Sequence, residues 1–511
     1  MITTFTDGET LLTEGGTQEL TFEAIEAIDK GSREHLSLWC TDIDKAYLKM
    51  FGRTVKDGFS LSAGNGGLLA AHGRRTHIRD SRAYFDKGVD SLQDLVRKIG
   101  SLSAELIKLG GSRLYGTAAS AAHELWKTKF NPPGWYRAPF EEIQELDFQR
   151  SALYGGRTEA ESTGLFVCHG EDVPTVGGDY EVQRLPEDHR IFRIDQRSAY
   201  PAAMLGQFPG TWSGITEGFD LSRKFGICRV TLSVNTEGPR VIPIRVRVGK
   251  KVRTIWPKSG EVCGVYTYTL IREAIKYGAK IVKTGEARTF ELEYYPLRSF
   301  VRRVWSAHQE IDDSDVRGAI KALSRKLYGK FGMSRFKTQC LSLKEYLEDL
   351  NGLPFPRVVL GDHVMLRMQE DKYPVWVQPV WSAIIADRVV CVLGRVEEEL
   401  RAGGARILYR DTDSVTFSAL EKNGEPQIGD HIKRRFHKDL GGWKIDHRSG
   451  PWGLFLGSKT YALKNETKLA GVPNDIQEQL LYNSKATFKT AASVFSESRT
   501  IHITLKEMKN A

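Results

Sequence analysis

The feature that most constrains this chain is an acidic turn enclosed by apolar residues. The segment reads Ile407-Leu408-Tyr409-Arg410-Asp411-Thr412-Asp413-Ser414-Val415-Thr416-Phe417. Apolar flanks around a short polar centre predict two buried strands joined by a tight turn. An Asp-x-Asp turn taken alone is also typical of a solvated hairpin tip, but apolar residues on both sides argue against that alternative. The chain must therefore bury strands whose shared turn carries charge, and buried charge needs a partner.

A second acidic position, Asp195, directly follows the strand-like run Ile191–Ile194. If these strands pair, Asp195 comes to lie beside Asp413. Asp411 and Asp413 share a side only if strand geometry continues through both of them. Carboxylates that meet at one point repel unless a divalent cation neutralises them, and oxygen ligands suit Mg²⁺. Two such ions about 4 Å apart hold the attacking and leaving oxygens of a phosphoryl displacement.

A basic helix is predicted from Ser314 to Phe331. Within it, Lys321, Arg325, Tyr328 and Gly329 share one face, because they follow the i, i+4, i+7, i+8 spacing. Two cations suit a triphosphate, an aromatic ring stacks on a base, and a glycine lets a base pair approach the backbone. The alternative is an amphipathic surface helix with a glycine near its end, and the helix by itself leaves this open.

Composition narrows the partner and the compartment. Lys plus Arg number 73 against 64 Asp plus Glu, a net charge of +9 over 511 residues, which favours a polyanion such as nucleic acid. The six cysteines are scattered without a CxxC pair, which argues against zinc fingers, iron–sulfur clusters and a disulfide scaffold. No run approaches the ~20 apolar residues of a membrane span, and Met1 opens no secretory leader. We therefore expect a cytoplasmic protein without a membrane partner.

The order of predicted elements indicates the fold class. Residues 1–100 read as a mixed α/β region, whereas the middle of the chain alternates hairpins and helices in an α+β pattern. Further helices are predicted at Leu92–Leu109, Tyr268–Tyr277, Leu297–Ile311 and Val380–Leu400. The run Ile244–Arg253 predicts a hairpin with Gly249-Lys250 at its tip and basic side chains on one face.

Taken in order, these segments resemble the motifs of family B DNA polymerases. Asp195 to Pro201 is similar to motif A, DxxSLYP, and Lys321 to Gly329 is similar to motif B, KxxxNSxYG. Tyr409 to Ser414 matches motif C, YxDTDS, without a mismatch, and Lys459 to Tyr461 matches the KxY motif. Tyr154-Gly155-Gly156 resembles the YxGG/A element that precedes motif A. The resemblance covers roughly residues 150–465.

The resemblance implies a right-hand polymerase of palm, fingers and thumb, preceded by a ribonuclease-H-like exonuclease-type α/β domain. The implied domains are the exonuclease-like residues 1–149, the palm and fingers with insertions at 150–465, and a thumb at 466–511. It also implies DNA primer–template and dNTPs as partners, and two Mg²⁺ ions as cofactors, with Mn²⁺ able to substitute.

Site roles follow from the same resemblance. Asp195, Asp411 and Asp413 are the implied catalytic acids, with Asp195 and Asp413 binding metal and Asp411 supporting them. Tyr200 is the implied steric gate against a ribose 2′-hydroxyl, Lys321 grips the triphosphate, and Tyr328 packs near the new base pair. The implied DNA-binding residues are Tyr154, Gly155 and Gly156 for the single-stranded template and Lys459 and Tyr461 for the primer terminus.

Spacing narrows the resemblance to the protein-primed branch of bacteriophages, adenoviruses and linear plasmids. Roughly 120 residues separate motifs A and B, the palm is small, and the chain after KxY is compact. This spacing leaves room for a terminal-protein-binding insertion within 225–300 and a second insertion between Phe331 and Leu408. The implied setting is a phage or plasmid genome replicated in a bacterial host cytoplasm, with a terminal protein as a further partner.

Two departures from the family pattern leave alternatives open. Ala199 stands where motif A has Leu, and Arg325-Lys326 stand where motif B has Asn-Ser. These changes leave open a specialised low-fidelity polymerase. A second alternative, from a different functional class, is a non-catalytic DNA-binding protein derived from a polymerase. The intact carboxylates, Tyr200 and Lys459 argue against a relic. A reverse transcriptase is disfavoured because its palm motif carries adjacent aspartates.

The largest departure concerns the exonuclease motifs. Asp7 and Glu9 resemble the first motif, DxE, and Asp42-Ile43-Asp44 lies where the second belongs but lacks its Asn. Residues 91–120, where a YxxxD motif is expected, offer only Asp94 and Glu105, neither with a Tyr four residues earlier. A two-metal nuclease without one carboxylate loses much of its activity. We therefore expect a degenerate, non-proofreading domain retained for scaffolding or single-strand binding.

Overall fold

The computed structural model describes most of the chain between residues 91 and 468 and parts of what precedes it. The described residues are 2–6, 10–13, 16–19, 36–40, 68–71, 74–80, 84–85, 89, 91–112, 114–115, 117–130, 143–172, 181–210, 212–220, 222–235, 238–248, 251–290, 293–348, 358–360, 363–369, 373–374, 376–464 and 466–468. The chain divides into two compact units. The first comprises Met1–Arg150, Met204–Trp212 and Glu291–Ser382, and the second comprises Ser151–Ala203, Ser213–Phe290 and Ala383–Ala511.

Helices and strands both contribute substantially. The helices are α1 (Leu92–Lys108), α2 (Ala118–Leu125), α3 (Ile143–Ser151), α4 (Ala199–Met204), α5 (Tyr268–Lys276), α6 (Arg298–Gln309), α7 (Ser314–Phe331), α8 (Leu343–Glu348), α9 (Pro379–Ala402) and α10 (Asp430–Lys433). A π-helical turn, Trp126–Phe130, continues α2. The predicted helices α1, α5, α6, α7 and α9 are confirmed within two residues at each end. None of the described helices is both long and apolar enough to cross a membrane.

The strands follow the α+β pattern expected from the sequence. They are β1 (Ile2–Thr6), β2 (Thr10–Thr13), β3 (Gly16–Glu19), β4 (Leu36–Cys40), β5 (Leu68–Ala71), β6 (Arg74–Asp80), β7 (Thr158–Ala160), β8 (Gly164–Val167), β9 (Val182–Arg184), β10 (His189–Gln196), β11 (Phe208–Pro209), β12 (Trp212–Glu217), β13 (Phe225–Asn235), β14 (Ile244–Val248), β15 (Lys251–Ile255), β16 (Ser259–Thr267), β17 (Lys280–Phe290), β18 (Glu293–Tyr294), β19 (Phe336–Ser342), β20 (Val358–Leu360), β21 (His363–Gln369), β22 (Arg406–Asp411), β23 (Ser414–Lys422), β24 (Glu425–Pro426), β25 (Trp443–Gly450), β26 (Trp452–Gly457), β27 (Thr460–Leu463) and β28 (Glu466–Lys468).

The first unit begins with a mixed sheet of strand order β3-β2-β1-β4-β6-β5. Its central strands β1, β4 and β6 run parallel, and the outer strands are antiparallel to their neighbours. Parallel central strands need crossover connections, which is the pattern of an α/β domain. This is the fold class expected for residues 1–149.

Helix α7 of the first unit is held by its cap and by a buried aromatic cluster. Asp313 Oδ1 accepts hydrogen bonds from the backbone N–H groups of Asp315 (2.9 Å) and Val316 (3.1 Å), which starts the helix. At its other end, Phe331 meets Trp126 edge to face at 5.1 Å, and Trp381 packs on both rings. The helix that carries motif B is therefore fixed at both ends within this unit.

The second unit is built around an antiparallel sheet of order β25-β10-β23-β22-β7, which lies within the residues for which palm and fingers are predicted. Alternate residues of β10 and β23 face inward and are buried, among them Phe192, Ile194, Val415 and Phe417. They form one apolar core with residues of α9, including Leu393, Val396 and Leu400. Residues 414–419 of β23 are all buried, so both faces of the strand are covered, and its alternation of apolar and polar side chains specifies the register.

A second sheet of order β12-β17-β13-β16 packs on α5, and β14 with β15 forms a separate two-stranded ribbon. The ribbon register pairs Arg245 with Thr254, Val246 with Arg253, and Arg247 with Val252. Directly paired residues point to the same face, so Arg245 and Arg247 lie on one face and Arg253 on the other. The prediction of a single basic face is therefore wrong; its Gly249-Lys250 tip lies outside the described residues.

The aromatic cluster generates a stability prediction. Trp126 is 2% exposed, and its indole N–H donates to the Pro296 carbonyl at 2.9 Å. We expect Trp126→Ala to lower the free energy of unfolding by about 3–5 kcal/mol, through the lost contacts and the cavity. Ile107→Ala, at a side chain 61% exposed, should change it by about 0.5 kcal/mol or less. Urea unfolding measures both, and equal effects would contradict the buried cluster.

Candidate active site

Strand pairing brings Asp195 to the Asp-Thr-Asp turn, as the sequence predicted. Asp195 pairs with Ser414 in the register of β10 and β23, and the next backbone N–H, of Gln196, donates to the Asp413 carbonyl at 2.9 Å. Strand geometry does not continue through the turn. Asp411 pairs with Ser414 across a two-residue loop in which Thr412 takes a left-handed φ of 63°. The loop, not a continuous strand, therefore directs Asp413 toward Asp195.

Burial and mutual repulsion define the electrostatics of this site. Burial raises the pKa of Asp413 to about 7, and the nearby charges of Asp195 and Asp411 add to the shift. Burial also raises the pKa of Asp195, although Lys444 Nζ lies 3.5 Å from its Oδ1. In the described part of the chain, no Lys or Arg forms an ion pair with Asp413. The electrostatics of Asp195 and Asp413 therefore favour the binding of a cation.

The third acid, Asp411, is already neutralised from within the chain. Its Oδ1 contacts Lys459 Nζ, and its Oδ2 lies 3.5 Å from Lys468 Nζ. Thr158 Oγ1 adds a hydrogen bond at 3.4 Å. Asp411 is therefore placed as a supporting acid rather than as an open ligand, which fits the role that the resemblance implies.

The donor set fits magnesium better than a closed metal centre. Among the residues described, no group of three or more His, Cys, Asp or Glu side chains has the arrangement of a metal site. Mg²⁺ is usually held by only one or two carboxylates together with waters and substrate phosphates. Asp195 and Asp413 offer that pair of carboxylates, and a buried carboxyl of raised pKa is the expected state of a ligand without its cation.

The Gly-Gly element packs directly on motifs A and C. A Cβ on Gly156 would lie 2.6 Å from Thr412 Cγ2 and 2.9 Å from the Tyr200 hydroxyl, so no larger residue fits without movement. The Thr412 N–H donates to the Arg157 carbonyl at 2.7 Å. Gly155 has a φ of 89°, a conformation that favours glycine. The element thereby sets the position of the Tyr200 hydroxyl beside the acidic turn.

Tyr154 has a packing role in this structure. Its ring stacks on Tyr266 with centroids 5.4 Å apart, and the Arg245 guanidinium lies 4.4 Å from its centroid. Arg245 Nη1 also donates to the Ser151 carbonyl at 3.0 Å, which ties the ribbon to this segment. Burial raises the pKa of the Tyr154 hydroxyl. Contact of Tyr154 with template DNA stays a prediction.

Of the two KxY residues, Lys459 lies at the acidic site and Tyr461 lies in the core. Lys459 lies at the carboxylates, and its backbone N–H donates to the Tyr409 hydroxyl at 2.7 Å. Tyr461 is 4% exposed; its hydroxyl donates to Glu466 Oε1 at 2.6 Å and accepts from Arg193 Nη1 at 3.1 Å. Tyr461 therefore stabilises the strand that carries Lys459, and its contact with a primer stays a prediction.

Sequence reasoning missed Lys444 and Lys468. Lys444 pairs with Asp195 across β25 and β10, and β28 places Lys468 beside Asp411. Neither lysine belongs to a motif. The only available signal was the apolar alternation of the surrounding strands, which does not specify which strands pair.

Lys321 and Tyr328 lie on α7 in the first unit, which is described by itself. Both are half-buried, whereas Arg325 is exposed and the space around a Cβ on Gly329 is open. Buried residues such as Leu323 and Leu327 occupy the opposite side of the helix. The predicted face is therefore the accessible one, and its nucleotide-binding role stays a prediction.

The structure does not describe most of the predicted exonuclease acids or the predicted thumb. Asp7, Glu9, Asp42 and Asp44 and residues 469–511 lie outside the described residues. Asp94 forms ion pairs with Arg97 (2.7 Å) and Lys98 (2.8 Å), and Glu105 pairs with Lys108 (2.6 Å). These two acids of the 91–120 segment are therefore engaged on the surface of α1.

The raised pKa of Asp413 generates a pH prediction. Its ordinary value is 3.8 and its folded value about 7, so the folded protein binds the extra proton and the metal-free protein loses stability as pH rises between these values. We expect the free energy of unfolding of Asp413→Asn to fall less over this window, by up to about 4 kcal/mol. Urea unfolding with a chelator at a series of pH values measures this. Asp430→Asn, at a side chain 92% exposed, should follow the wild type; parallel profiles for all three proteins would contradict the prediction.

Comparison with known proteins agrees with this geometry. Residues 175–352 match the family model described as DNA polymerase type B, organellar and viral. No protein with a curated description matches the chain by sequence.

Solved structures share the fold over nearly the whole chain. Phi29 DNA polymerase in its ternary complex with primer-template DNA and incoming nucleotide is 16% identical, with a TM-score of 0.64 over 94% of this chain and 93% of that one. The same polymerase with single-stranded DNA gives 0.61 at the same identity and coverage. This likeness establishes a right-hand polymerase fold preceded by an exonuclease-type domain. The family match over residues 175–352 and the shared fold agree with the resemblance to type B DNA polymerases that the sequence motifs indicate.

Proposed function

We propose that this polymerase adds dNMP to a primer 3′-hydroxyl by two-metal phosphoryl transfer, that a protein hydroxyl serves as the first primer, and that the enzyme does not proofread. The observation that carries the catalytic part is the half-buried Asp413 carboxyl beside Asp195, without an ion-pairing cation among the described residues. Two carboxylates that repel each other in the ligand-free protein are stabilised when Mg²⁺ binds between substrate phosphates and protein.

The chain's own residues have separate tasks in this reaction. Asp195 and Asp413 would hold the metal ions, whose chemistry is to activate the primer hydroxyl and stabilise charge on the phosphoryl oxygens. Lys459 and Lys468, which pair with Asp411, would draw the phosphates of primer and nucleotide toward the turn. Lys321 on α7 would grip the triphosphate, and Tyr328 would pack near the nascent pair.

Tyr200 would select deoxyribonucleotides by filling the space of a 2′-hydroxyl. Support comes from the close packing of Tyr200 against Gly156, since a Cβ at this glycine would lie 2.9 Å from the Tyr200 hydroxyl. Because Gly156 limits the movement of Tyr200, the ring would clash with the 2′-hydroxyl of a ribonucleotide. The selection against ribonucleotides would therefore be steric. Ala199, beside the ring, is 2% exposed and thus belongs to the core under the gate.

Protein priming is supported by the segment between motifs A and B. This segment forms the β12-β17-β13-β16 sheet with α5 and the β14–β15 ribbon, a folded insertion of the size that the protein-primed resemblance requires. The test is transfer of labelled dNMP to a protein hydroxyl in a reaction that contains a template end, a candidate priming protein and no DNA primer. A covalent protein–dNMP product supports the proposal, and extension of DNA primers only would overturn it.

Loss of catalysis in Asp413→Asn is the first prediction from this function. With Mg²⁺, dNTPs and a 5′-labelled primer on a longer template, we expect wild-type extension and a roughly thousandfold or greater loss in the variant, since several kcal/mol of charge stabilisation disappear. Asp430→Asn is the matched control and should extend normally. Binding of DNA without extension by the wild type would instead favour a non-catalytic relic.

Absence of proofreading is the second prediction. When dNTPs are withheld, we expect the labelled primer to keep its length, because no YxxxD carboxylate is available in residues 91–120 for a two-metal nuclease. A mismatched primer end should persist equally. Primer shortening that disappears in Asp7→Asn and Glu9→Gln would show an active exonuclease and overturn this part of the proposal.

A further inference from the structure

A network of buried charges lies directly behind the acidic turn. Arg157, Glu397 and Arg410 are all fully buried. Arg410 donates to both Glu397 carboxylate oxygens, from Nε at 2.6 Å and from Nη2 at 2.7 Å. Arg157 Nη1 donates to Glu397 Oε1 at 2.9 Å. One carboxylate thus holds two arginines from separate parts of the chain.

Two more glutamates extend the network outward. Arg410 Nη1 lies 2.7 Å from Glu161 Oε2, Arg157 Nη2 lies 2.7 Å from Glu159 Oε1, and Arg240 Nη2 lies 2.5 Å from Glu161 Oε2. At its outer edge, Glu161 also pairs with Arg401 and Lys258. Burial by itself would raise the pKa of Glu397, but Arg157 and Arg410 together lower it, so this carboxylate stays ionised.

The two arginines that Glu397 holds each border a functional segment. Arg410 immediately precedes Asp411, and Arg157 immediately follows Gly156. The backbones of these segments are joined by the pairing of Asp411 with Thr158 and by the Thr412 N–H on the Arg157 carbonyl. β7 has only three residues, too few to fix its own register against β22. The side-chain network is what clamps it.

Stability alone does not account for such a network. Buried ion clusters are often replaceable by apolar residues without loss of stability, whereas buried polar groups of this kind can specify one arrangement among several. Here the arrangement specified is that of the acidic turn against the Gly-Gly element, which meets Thr412 and the Tyr200 hydroxyl.

We propose that Glu397 is a positioning residue: by holding Arg410 and Arg157 together it sets the Asp-Thr-Asp turn and the Tyr200 gate in one fixed relation, and so controls both turnover and the choice of sugar. This inference rests on the proposed function. It assigns sugar selectivity in part to a helix, α9, that touches neither nucleotide nor metal in the roles described above.

The test compares Glu397→Gln with Glu273→Gln, a change at a buried carboxylate of α5 that is paired with an arginine of α9. Glu273 accepts from Arg395 of α9 through both carboxylate oxygens, at 2.9 and 2.7 Å, and is also buried, but it borders no motif. We expect Glu397→Gln to lower kcat about tenfold and the dNTP-over-rNTP preference about tenfold, with KM for primer–template unchanged. Glu273→Gln should lower the thermal midpoint and leave both readouts unchanged.

Two further variants keep the outcome decisive. Gly156→Ala, which displaces the Tyr200 hydroxyl directly, is the positive control for altered sugar choice. If Glu397→Gln does not fold, Arg410→Lys retains the charge but loses the two-point contact, and it should show the same two changes. A stable Glu397→Gln or Arg410→Lys with wild-type kcat and wild-type sugar preference would overturn the proposal.

A binding measurement separates this inference from the proposed function. Nucleotide affinity is measured on a complex with a dideoxy-terminated primer, where no bond can form. The wild type should bind dNTP in preference to rNTP, and Glu397→Gln should narrow that preference. If the wild type extends no primer, the proposed function fails, and the affinity ratio still decides the role of Glu397: an equal ratio in both proteins overturns it.

Discussion

Two neighbouring carboxylates in a half-buried site, Asp195 and Asp413, are the constraint around which the second unit is organised. Burial and repulsion raise the pKa of Asp413 to about 7, so the ligand-free protein carries an unfavourable charge until a cation arrives. An antiparallel sheet suits this task, because adjacent strands β10 and β23 hold Asp195 and the turn in fixed register. The core on α9 supplies the apolar burial that offsets the cost.

Three lysines pair with Asp195 and Asp411, but none of them pairs with Asp413. Lys444 lies at Asp195, and Lys459 and Lys468 lie at Asp411, so the outer oxygens are neutralised while Asp413 is left for a ligand. Behind the turn, arginines replace lysines, since a guanidinium can satisfy two carboxylate oxygens in a buried space. In our proposal, the network around Glu397 fixes geometry, and the half-exposed lysines attract phosphate.

The motif residues of this protein do not all lie at the acidic site. Gly156 acts on Tyr200 and Thr412, and Lys459 reaches the acids, as a functional interpretation requires. Tyr154 and Tyr461, in contrast, are packed into ion-pair and ring contacts that hold their segments. A motif tyrosine can thus contribute to a site through the strand that it anchors.

The sequence by itself determined the elements and the pairing that matter most. Apolar flanks predicted β22 and β23, helical spacing predicted α7, and the expected pairing of strands brought Asp195 beside Asp413. Only the tertiary structure decided that Lys444 and Lys468 meet the acids, that Glu397 joins Arg410 to Arg157, and that the ribbon carries cations on both faces. The reason is physical: periodicity encodes which face of an element is buried, whereas the partner across that face depends on strand register and on packing between residues far apart in the chain.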